Sequence, residues 1–308
     1  PRFGPRAASR HYRQKQIPSS QTTPRMLKLF QSPRPTKRQR SKVIFLHVPK
    51  TGGTTFSRVL QRTYGDSYTF FDDDAVDVFV RNLEAYECTE VHATLRGDRL
   101  VWGPKNIMKE SNWQLLSGAE VFVMFRDPVE QYISSFYQAK KFGKTLERTA
   151  ASKWLFSDTL DDYMENPRFS NLQLKFLLGI EPGNDSELTE SDLQRAKRLI
   201  STLGVNVGIL ERYNESLHLF ENVTGSKIPL GIIVVRNKNP IPTHVDDATR
   251  KRILDLNALD QRLYDFVEKV FDDQIAGCGP CPRYRYFSEH SAVGRLASWF
   301  GKCWLTNT

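Results

Sequence analysis

Residues 43–55 read VIFLHVPKTGGTT and carry the strongest structural signal in the chain. The run 43–48 is short, apolar and rich in β-branched residues, and Pro49 ends it, which predicts a buried strand of a parallel sheet. Beyond the two glycines, apolar residues recur at helical spacing from Phe56 onward. The order strand, glycine turn, helix predicts an α/β fold whose central parallel sheet is flanked by helices.

The glycine turn also predicts a binding site for an anion. Two glycines let backbone N–H groups point into one concavity, and the N-terminus of the following helix adds partial positive charge. Lys50 supplies a full positive charge, and the threonines supply hydroxyl donors. A phosphate or sulfate group is therefore expected on Lys50, Thr51, Gly52, Gly53, Thr54 and Thr55.

The turn differs from the phosphate loop of nucleotide triphosphatases, in which Lys-Ser/Thr follows the glycines. Here Lys50 precedes them. The apolar run 121–125 ends in Arg126-Asp127-Pro128, so an arginine stands where a metal-binding carboxylate would be expected. An arginine at a strand end predicts a second anion contact.

The segment 47–55 resembles the 5′-phosphosulfate loop of the carbohydrate sulfotransferases, and most closely the group that includes heparan sulfate 2-O- and 6-O-sulfotransferases. Arg126-Asp127-Pro128, with Ser134 eight residues past the arginine, resembles the 3′-phosphate motif of these enzymes. Weaker matches are Asn171-Leu172-Gln173, Leu177-Leu178-Gly179 and the segment 207–213. The resemblance covers about residues 43–273 and implies a P-loop-like sulfotransferase fold.

The resemblance further implies the donor 3′-phosphoadenosine 5′-phosphosulfate as a co-substrate, and no metal. Lys50 with the glycine turn would bind the phosphosulfate, and Arg126 with Ser134 would bind the 3′-phosphate. A predicted strand at 230–235 is followed by Arg236 and Asn237, where the family places polar residues near the nucleotide. These two residues are therefore further candidates for donor binding.

A hydroxyl that attacks sulfur must lose a proton, so a base near the donor is expected. His92 ends a predicted second strand, 88–93, and ligand sites in open α/β sheets lie at the carboxyl ends of strands. The resembling enzymes use a histidine at a comparable strand end, so His92 is the expected base, with Glu90 and Asp98 as alternatives. For His47, a hydrogen-bonded core histidine and a role at the phosphate loop are equally good interpretations. His218 is expected to face solvent on a helix at 214–221.

Composition predicts a globular domain, because 39% of residues are hydrophobic and 19 are Phe. The sequence lacks the roughly 18 uninterrupted apolar residues of a membrane span. Of the 44 Lys and Arg residues, 12 lie in residues 1–42, which leaves 32 against 35 Asp and Glu. We interpret 1–42 as a flexible basic Pro-rich leader or stem. The alternative is a patch for nucleic acid, anionic polysaccharide or a membrane surface.

The rest of the chain divides into a sulfotransferase domain at 43–275 and a Cys-containing extension at 276–308. Helices are predicted at 128–141, 157–166, 168–178, 188–203 and 246–273, and a further strand at 205–210. The pair Cys278 and Cys281 predicts a structural disulfide or unpaired thiols rather than redox catalysis. The segment 292–305 is expected to be a packing helix.

Three N-glycosylation sequons, at Asn184, Asn214 and Asn222, favour a secretory-pathway glycoprotein. The resemblance implies the Golgi lumen, with a membrane anchor outside this sequence; a cytoplasmic microbial homologue is the alternative. The expected partner is a carbohydrate or other hydroxyl acceptor, and no nucleic acid. Two further function classes stay open: a nucleotide-dependent kinase with an altered phosphate loop, and a non-catalytic polyanion-binding protein.

Overall fold

The computed structural model describes residues 41–96, 99–143, 157–182, 187–229, 232–235 and 245–288. The strands in these ranges are β1 (Lys42–Leu46), β2 (Tyr68–Phe71), β3 (Cys88–Val91), β4 (Ala93–Arg96), β5 (Arg99–Trp102), β6 (Ala119–Phe125), β7 (Asn206–Ile209), β8 (Ile232–Val235) and β9 (Arg285–Ser288). The α-helices are α1 (Gly53–Tyr64), α2 (Val76–Ala85), α3 (Pro104–Ile107), α4 (Pro128–Gly143), α5 (Leu160–Met164), α6 (Leu172–Leu177), α7 (Glu190–Thr202), α8 (Tyr213–Thr224), α9 (Asp247–Leu256) and α10 (Ala258–Ala276).

Five strands form one sheet in the order β2-β3-β1-β6-β7, and every pairing in it is parallel. The predicted α/β fold with a central parallel sheet and flanking helices is therefore confirmed. Because all five strands run the same way, their carboxyl ends lie along one edge of the sheet. Strand β1 is central, with β3 on one side and β6 on the other, so the segments that follow these three strands are neighbours.

The middle of the sheet is covered on both faces. Four consecutive residues of β1, from Val43 to Leu46, are buried, as are the last five of β6. Successive side chains of a strand point to opposite faces, so such a run requires cover on each. Phe56 of α1 packs against Phe45 of β1 and Phe122 of β6 at ring-centroid distances of 4.7 and 5.2 Å. Burial of each such ring contributes about 1.5–3 kcal/mol relative to exposure.

Two smaller sheets lie outside the central one. Strands β4 and β5 pair antiparallel directly after His92. The strand predicted at 230–235 is present as β8, but it pairs with β9 and not with the central sheet. Since β9 lies in the predicted extension 276–308, that segment is joined to the body of the protein by sheet hydrogen bonds.

The helices predicted between 128 and 203 are present as α4 to α7. Helix α5 is shorter than predicted because Thr159 and Asp162 form a capping box that starts it, and a short 3₁₀ turn begins at Pro167 soon after it ends. Helix α6 begins after Asn171, whose backbone is left-handed with φ 51°.

The single helix predicted at 246–273 is wrong: the chain forms α9 and α10 with a break at Asn257. The backbone of Asn257 has φ −113° and ψ 30°, outside the helical region. Its side chain explains the break, because Nδ2 donates to the Ile253 carbonyl while Oδ1 accepts from the Asn171 amide at 2.8 Å. Asn257 thereby ties the start of α6 to the junction of α9 and α10.

Cys88, Cys278 and Cys281 are free thiols, and Cys88, the first residue of β3, is buried. The segments 1–40 and 292–305 lie outside the described residues, as do Asn184 and Cys303. No helix in the described part of the chain combines the length and apolarity needed to cross a bilayer.

Candidate anion-binding and transfer site

The glycine turn connects β1 to α1 at the carboxyl edge of the sheet. Gly52 is the N-cap of α1 with φ +82°, and a Cβ there would lie 2.5 Å from the Leu210 side chain. Only glycine fits that backbone and that gap. Lys50 also has a positive φ, 68°, an uncommon conformation for a residue with a side chain. Such strain concentrates at ligand-binding turns.

The N-terminus of α1 suits a negatively charged ligand. The helix has 12 residues, and its first turn contains no acidic side chain and no side-chain cap. Its amides therefore contribute partial positive charge at the turn. Thr51 is fully buried and donates to the Val48 carbonyl at 2.9 Å, so its hydroxyl closes the loop. Thr54 is exposed and Thr55 is half-buried.

Lys50 lies in a strongly positive environment. Burial, and then the charges of Arg126 and Lys141, lower the pKa of Lys50 from 10.5 to about 8. The lowered pKa shows that the charged form of the Lys50 amine is unfavourable at this position without a counter-charge. A bound anion would raise the pKa of Lys50 again, because its negative charge stabilises the ammonium group. A phosphate or sulfate group would therefore be bound with a favourable electrostatic interaction.

Arg126 follows β6 and is held next to the glycine turn. Its Nη1 donates to the Lys50 carbonyl at 3.2 Å. The side chain of Gln173 on α6 makes two hydrogen bonds to the Arg126 backbone. Its Oε1 accepts from the amide at 3.0 Å, and its Nε2 donates to the carbonyl at 2.8 Å. Helix α6 is in turn anchored by Asp260, which accepts from the Gln173 and Leu174 amides at 3.1 and 2.8 Å.

The Arg126 guanidinium has room for another acceptor. Its charge partners, Glu130 and Glu211, lie at 3.8 and 3.9 Å, beyond hydrogen-bond distance. Among the described residues, its buried Nε has no hydrogen-bond partner. An unsatisfied buried donor is costly, so an anion that accepts from Nε would be bound with a charge-assisted hydrogen bond.

Helix α4 makes contacts that hold the glycine turn and the segment after Arg126 in place. Its Gln131 donates to the Pro49 carbonyl at 3.1 Å, which fixes the glycine turn. Asp127 accepts from the Glu130 amide at 2.9 Å and so caps the helix. Ser134 is buried on the second turn of α4. Glu211, in the segment 207–213 that resembles the family, accepts from the Asp127 amide at 3.3 Å.

His92 lies directly after β3, on the other side of β1 from Arg126. Its ring meets that of His47 edge-on at 4.3 Å, and the exposed Phe70 ring lies 5.2 Å away. Burial, and then the charge of His47, lower the pKa of His92 from 6.5 to about 3. The imidazole is therefore unprotonated at neutral pH and able to accept a proton.

Glu90, the first alternative base, is almost completely buried. Its Oε1 lies 2.6 Å from His47 Nδ1 and accepts from Ser57 Oγ at 2.8 Å, and its Oε2 accepts from the Tyr68 hydroxyl at 2.6 Å. Burial raises the pKa of the Glu90 carboxyl, but His47 and the two hydroxyls outweigh burial and hold the pKa below its ordinary value. Glu90 is thus an anchored carboxylate inside the protein.

Other predicted site residues are not all in the described ranges. Asp98, Arg236 and Asn237 lie outside them. The expectation for His218 is wrong, because its side chain is buried in α8 with Nε2 2.8 Å from the Gly279 carbonyl. Among the described residues, no group of three or more His, Cys, Asp and Glu could hold a metal ion.

Sequence reasoning missed the residues that brace the site. Gln131, Gln173 and Glu211 hold the backbone at Pro49, Arg126 and Asp127. The only signal for two of them was the weak resemblance of 171–173 and 207–213, which assigned them no role. Nothing in the sequence indicated a special role for Gln131, because glutamine is common in helices.

The fold is that of an α/β protein, and its parallel sheet presents two adjacent cationic side chains, Lys50 and Arg126, and the imidazole of His92 at its carboxyl edge. Residues 36–175 match the model of the sulfotransferase family. This segment contains the glycine turn, His92 and Arg126, so the similarity to that family covers the candidate site.

The chain is also similar to a curated sulfotransferase. The chain is 24% identical over 272 residues to heparan-sulfate 6-O-sulfotransferase 1-B of Danio rerio, with 75% of this chain aligned. The alignment spans 66% of that relative, just under two thirds of its length.

Proposed function

We propose that the protein transfers the sulfuryl group of 3′-phosphoadenosine 5′-phosphosulfate to a hydroxyl group of a carbohydrate. The observation that carries the proposal is the adjacency of three groups at one sheet edge. Lys50 follows β1, Arg126 follows β6 and hydrogen-bonds the Lys50 carbonyl, and His92 follows β3 on the opposite side.

The residues fit a donor with two separated anionic ends. Lys50 and the N-terminus of α1 would bind the 5′-phosphosulfate, since both lack a carboxylate partner in the described contacts of the turn. Arg126 would bind the 3′-phosphate through its unsatisfied Nε, with Ser134 as a candidate hydroxyl donor. Thr54 and Thr55, at the start of α1, are candidates for the phosphosulfate end.

The reaction is one in-line displacement. The acceptor oxygen forms a bond to sulfur, its proton passes to His92, and the bond between sulfur and the bridging oxygen breaks. The electron pair leaves with the 5′-phosphate, where Lys50 and the amides of α1 stabilise the added charge. No metal takes part in this scheme.

Binding of the donor also prepares His92. A base is most effective when its pKa is near the working pH, and the pKa of His92 is far below it in the free protein. Negative charge nearby favours the imidazolium form. The anionic donor therefore raises the basicity of His92 in the complex, at the stage when a proton must be removed.

The carbohydrate acceptor is supported by the curated relative, whose name specifies heparan sulfate. A location in the Golgi lumen and glycosylation stay predictions. The kinase alternative is disfavoured because Lys50 precedes the glycines, and because Asp127 after β6 is used to cap α4. The alternative of a non-catalytic polyanion-binding protein depends on residues 1–42, which are outside the described part of the chain.

The test is a transfer assay on the full chain without magnesium. Radiolabelled 3′-phosphoadenosine 5′-phosphosulfate is incubated with unsulfated and partly sulfated polysaccharides, and label in the polymer is counted. We expect transfer to at least one of them. Polymer binding without transfer would favour the non-catalytic alternative, and magnesium-dependent phosphoryl transfer from ATP would favour a kinase.

A further inference from the structure

Glu90 and His47 lie behind His92, and the scheme above gives neither a role. We propose that they are positioning residues for His92: Glu90 fixes the ring of His47, and His47 fixes the ring of His92 beside the phosphate-binding turn. This inference rests on the proposed role of His92 as the base.

Glu90 can act only through its neighbours. The residue is 1% exposed, and both carboxylate oxygens have partners on three different elements: His47 after β1, Ser57 in α1 and Tyr68 in β2. An acceptor hydroxyl has no path to these oxygens. Three hydrogen bonds to one buried carboxylate instead hold the orientation of each partner, and the shortest two, at 2.6 Å, go to His47 and Tyr68.

The His47 ring lies between Gly53 of the glycine turn and His92. A Cβ added to Gly53 would lie 2.0 Å from Nε2 and Cδ2 of His47, so the ring occupies the space under the first residue of α1. The opposite contact is to His92, with ring centroids 4.3 Å apart and planes at 71°. Phe45 stacks on the ring at 5.4 Å. One imidazole therefore touches both the donor turn and the expected base.

The electrostatics of His92 agree with this arrangement. Four influences act on its imidazole: burial lowers its pKa most, the charge of His47 lowers it further, and Glu90 and the Ala93 backbone raise it. Tyr68, the remaining titratable group of the cluster, faces Glu90 rather than His92. Among these side chains, His47 is thus the one whose charge adds to the effect of burial in lowering the pKa of His92.

A purely structural role for the pair makes different predictions. If His47 and Glu90 only joined β1, β2 and β3, their loss would lower thermal stability and activity without changing how His92 titrates. A positioning role requires that loss of His47 lower kcat while affinity for the donor product is kept, and removal of the His47 charge should also shift His92 protonation to higher pH. The kcat and the pH dependence of one imidazole together separate the two roles.

The experiment compares wild type, His47→Gln and His218→Gln by NMR of the imidazole resonances, between about pH 4.5 and pH 8. His218 is the matched control, because it is also a buried histidine with a backbone partner but belongs to α8. In wild type and in the control, we expect His92 to stay unprotonated throughout. In His47→Gln, its protonation should begin at higher pH, and kcat should fall about 10- to 100-fold.

The direction of the change in the His92 pKa follows from the charge that the substitution removes. Loss of the His47 charge raises the pKa of His92, so the base becomes protonated sooner as the pH falls, and the acid limb of kcat/KM moves to higher pH. If His92 titrates identically in His47→Gln and wild type, the positioning role is wrong.

Two further variants distinguish failure of the positioning role from failure of the proposed role of His92 as base. If His47→Gln does not fold, Glu90→Gln decides. Glu90 raises the pKa of His92, so in Glu90→Gln the His92 imidazole should stay unprotonated throughout while kcat falls about 10-fold, and an unchanged kcat would contradict the positioning role. If His92 shifts as expected but His92→Asn keeps full activity, the interaction is real and the proposed function of His92 is wrong.

Discussion

Replacing His92 by asparagine is expected to lower kcat for sulfuryl transfer by about 10²- to 10⁴-fold, the usual contribution of a positioned general base. Asparagine keeps a polar side chain of similar reach but cannot take the acceptor proton at neutral pH. Affinity for 3′-phosphoadenosine 5′-phosphate should stay within about twofold, because the anion contacts are Lys50, Arg126 and the N-terminus of α1. The measurement is transfer rate at saturating donor, with product binding as its companion.

The control for this substitution is His218→Asn, which removes another buried histidine away from the sheet edge. It should lower thermal stability without a comparable loss of kcat. Retention of more than about a third of wild-type kcat in His92→Asn would contradict the assignment of His92 as base.

Replacing Gly53 by alanine is expected to damage the site nearly as severely. The new Cβ would lie 2.0 Å from the His47 ring, which cannot swing aside because Glu90 holds its Nδ1 at 2.6 Å. The start of α1 must then move away from the ring. Overpacking of this kind costs about 1–3 kcal/mol. We expect a lower thermal midpoint and at least about a tenfold loss of affinity for 3′-phosphoadenosine 5′-phosphate.

Gly277→Ala provides the matched control. Gly277 has an ordinary backbone conformation, φ −80°, and an added Cβ would meet nothing closer than the Gln274 carbonyl at 3.8 Å. It should be neutral or stabilise the protein by up to about 1 kcal/mol. Equal donor-product affinity in Gly53→Ala and wild type would show that the contact between the turn and His47 is unimportant.

The adjacency of the glycine turn and Arg126 was predictable because its signals are local. The run 43–48, Lys50 and the two glycines follow one another in the chain, and Arg126 directly follows an apolar run. Their meeting then follows from the rule that carboxyl ends of neighbouring parallel strands lie together. The short edge strand β2 was missed, because it has only four residues and only Phe71 is buried.

The supporting contacts were not predictable, because they join residues far apart in sequence. Gln173 is 47 residues from the Arg126 backbone that it grips, and Glu90 is 43 residues from His47. Nothing in a single sequence distinguishes such a buried glutamate from an exposed one. For the same reason His218 was assigned to the surface, since its partner at Gly279 is 61 residues away.

We infer that the turn after β1 and Arg126 after β6 form one donor site. Calorimetric titration of the purified chain with 3′-phosphoadenosine 5′-phosphate, without magnesium, tests it most directly. The variants are Lys50→Ala and Arg126→Ala, with Lys251→Ala, an exposed lysine of α9, as the control. We predict saturable binding that each of the first two substitutions weakens at least tenfold, about 1.4 kcal/mol each, and that the control leaves unchanged. Absence of binding, together with magnesium-dependent binding of ATP, would contradict the account.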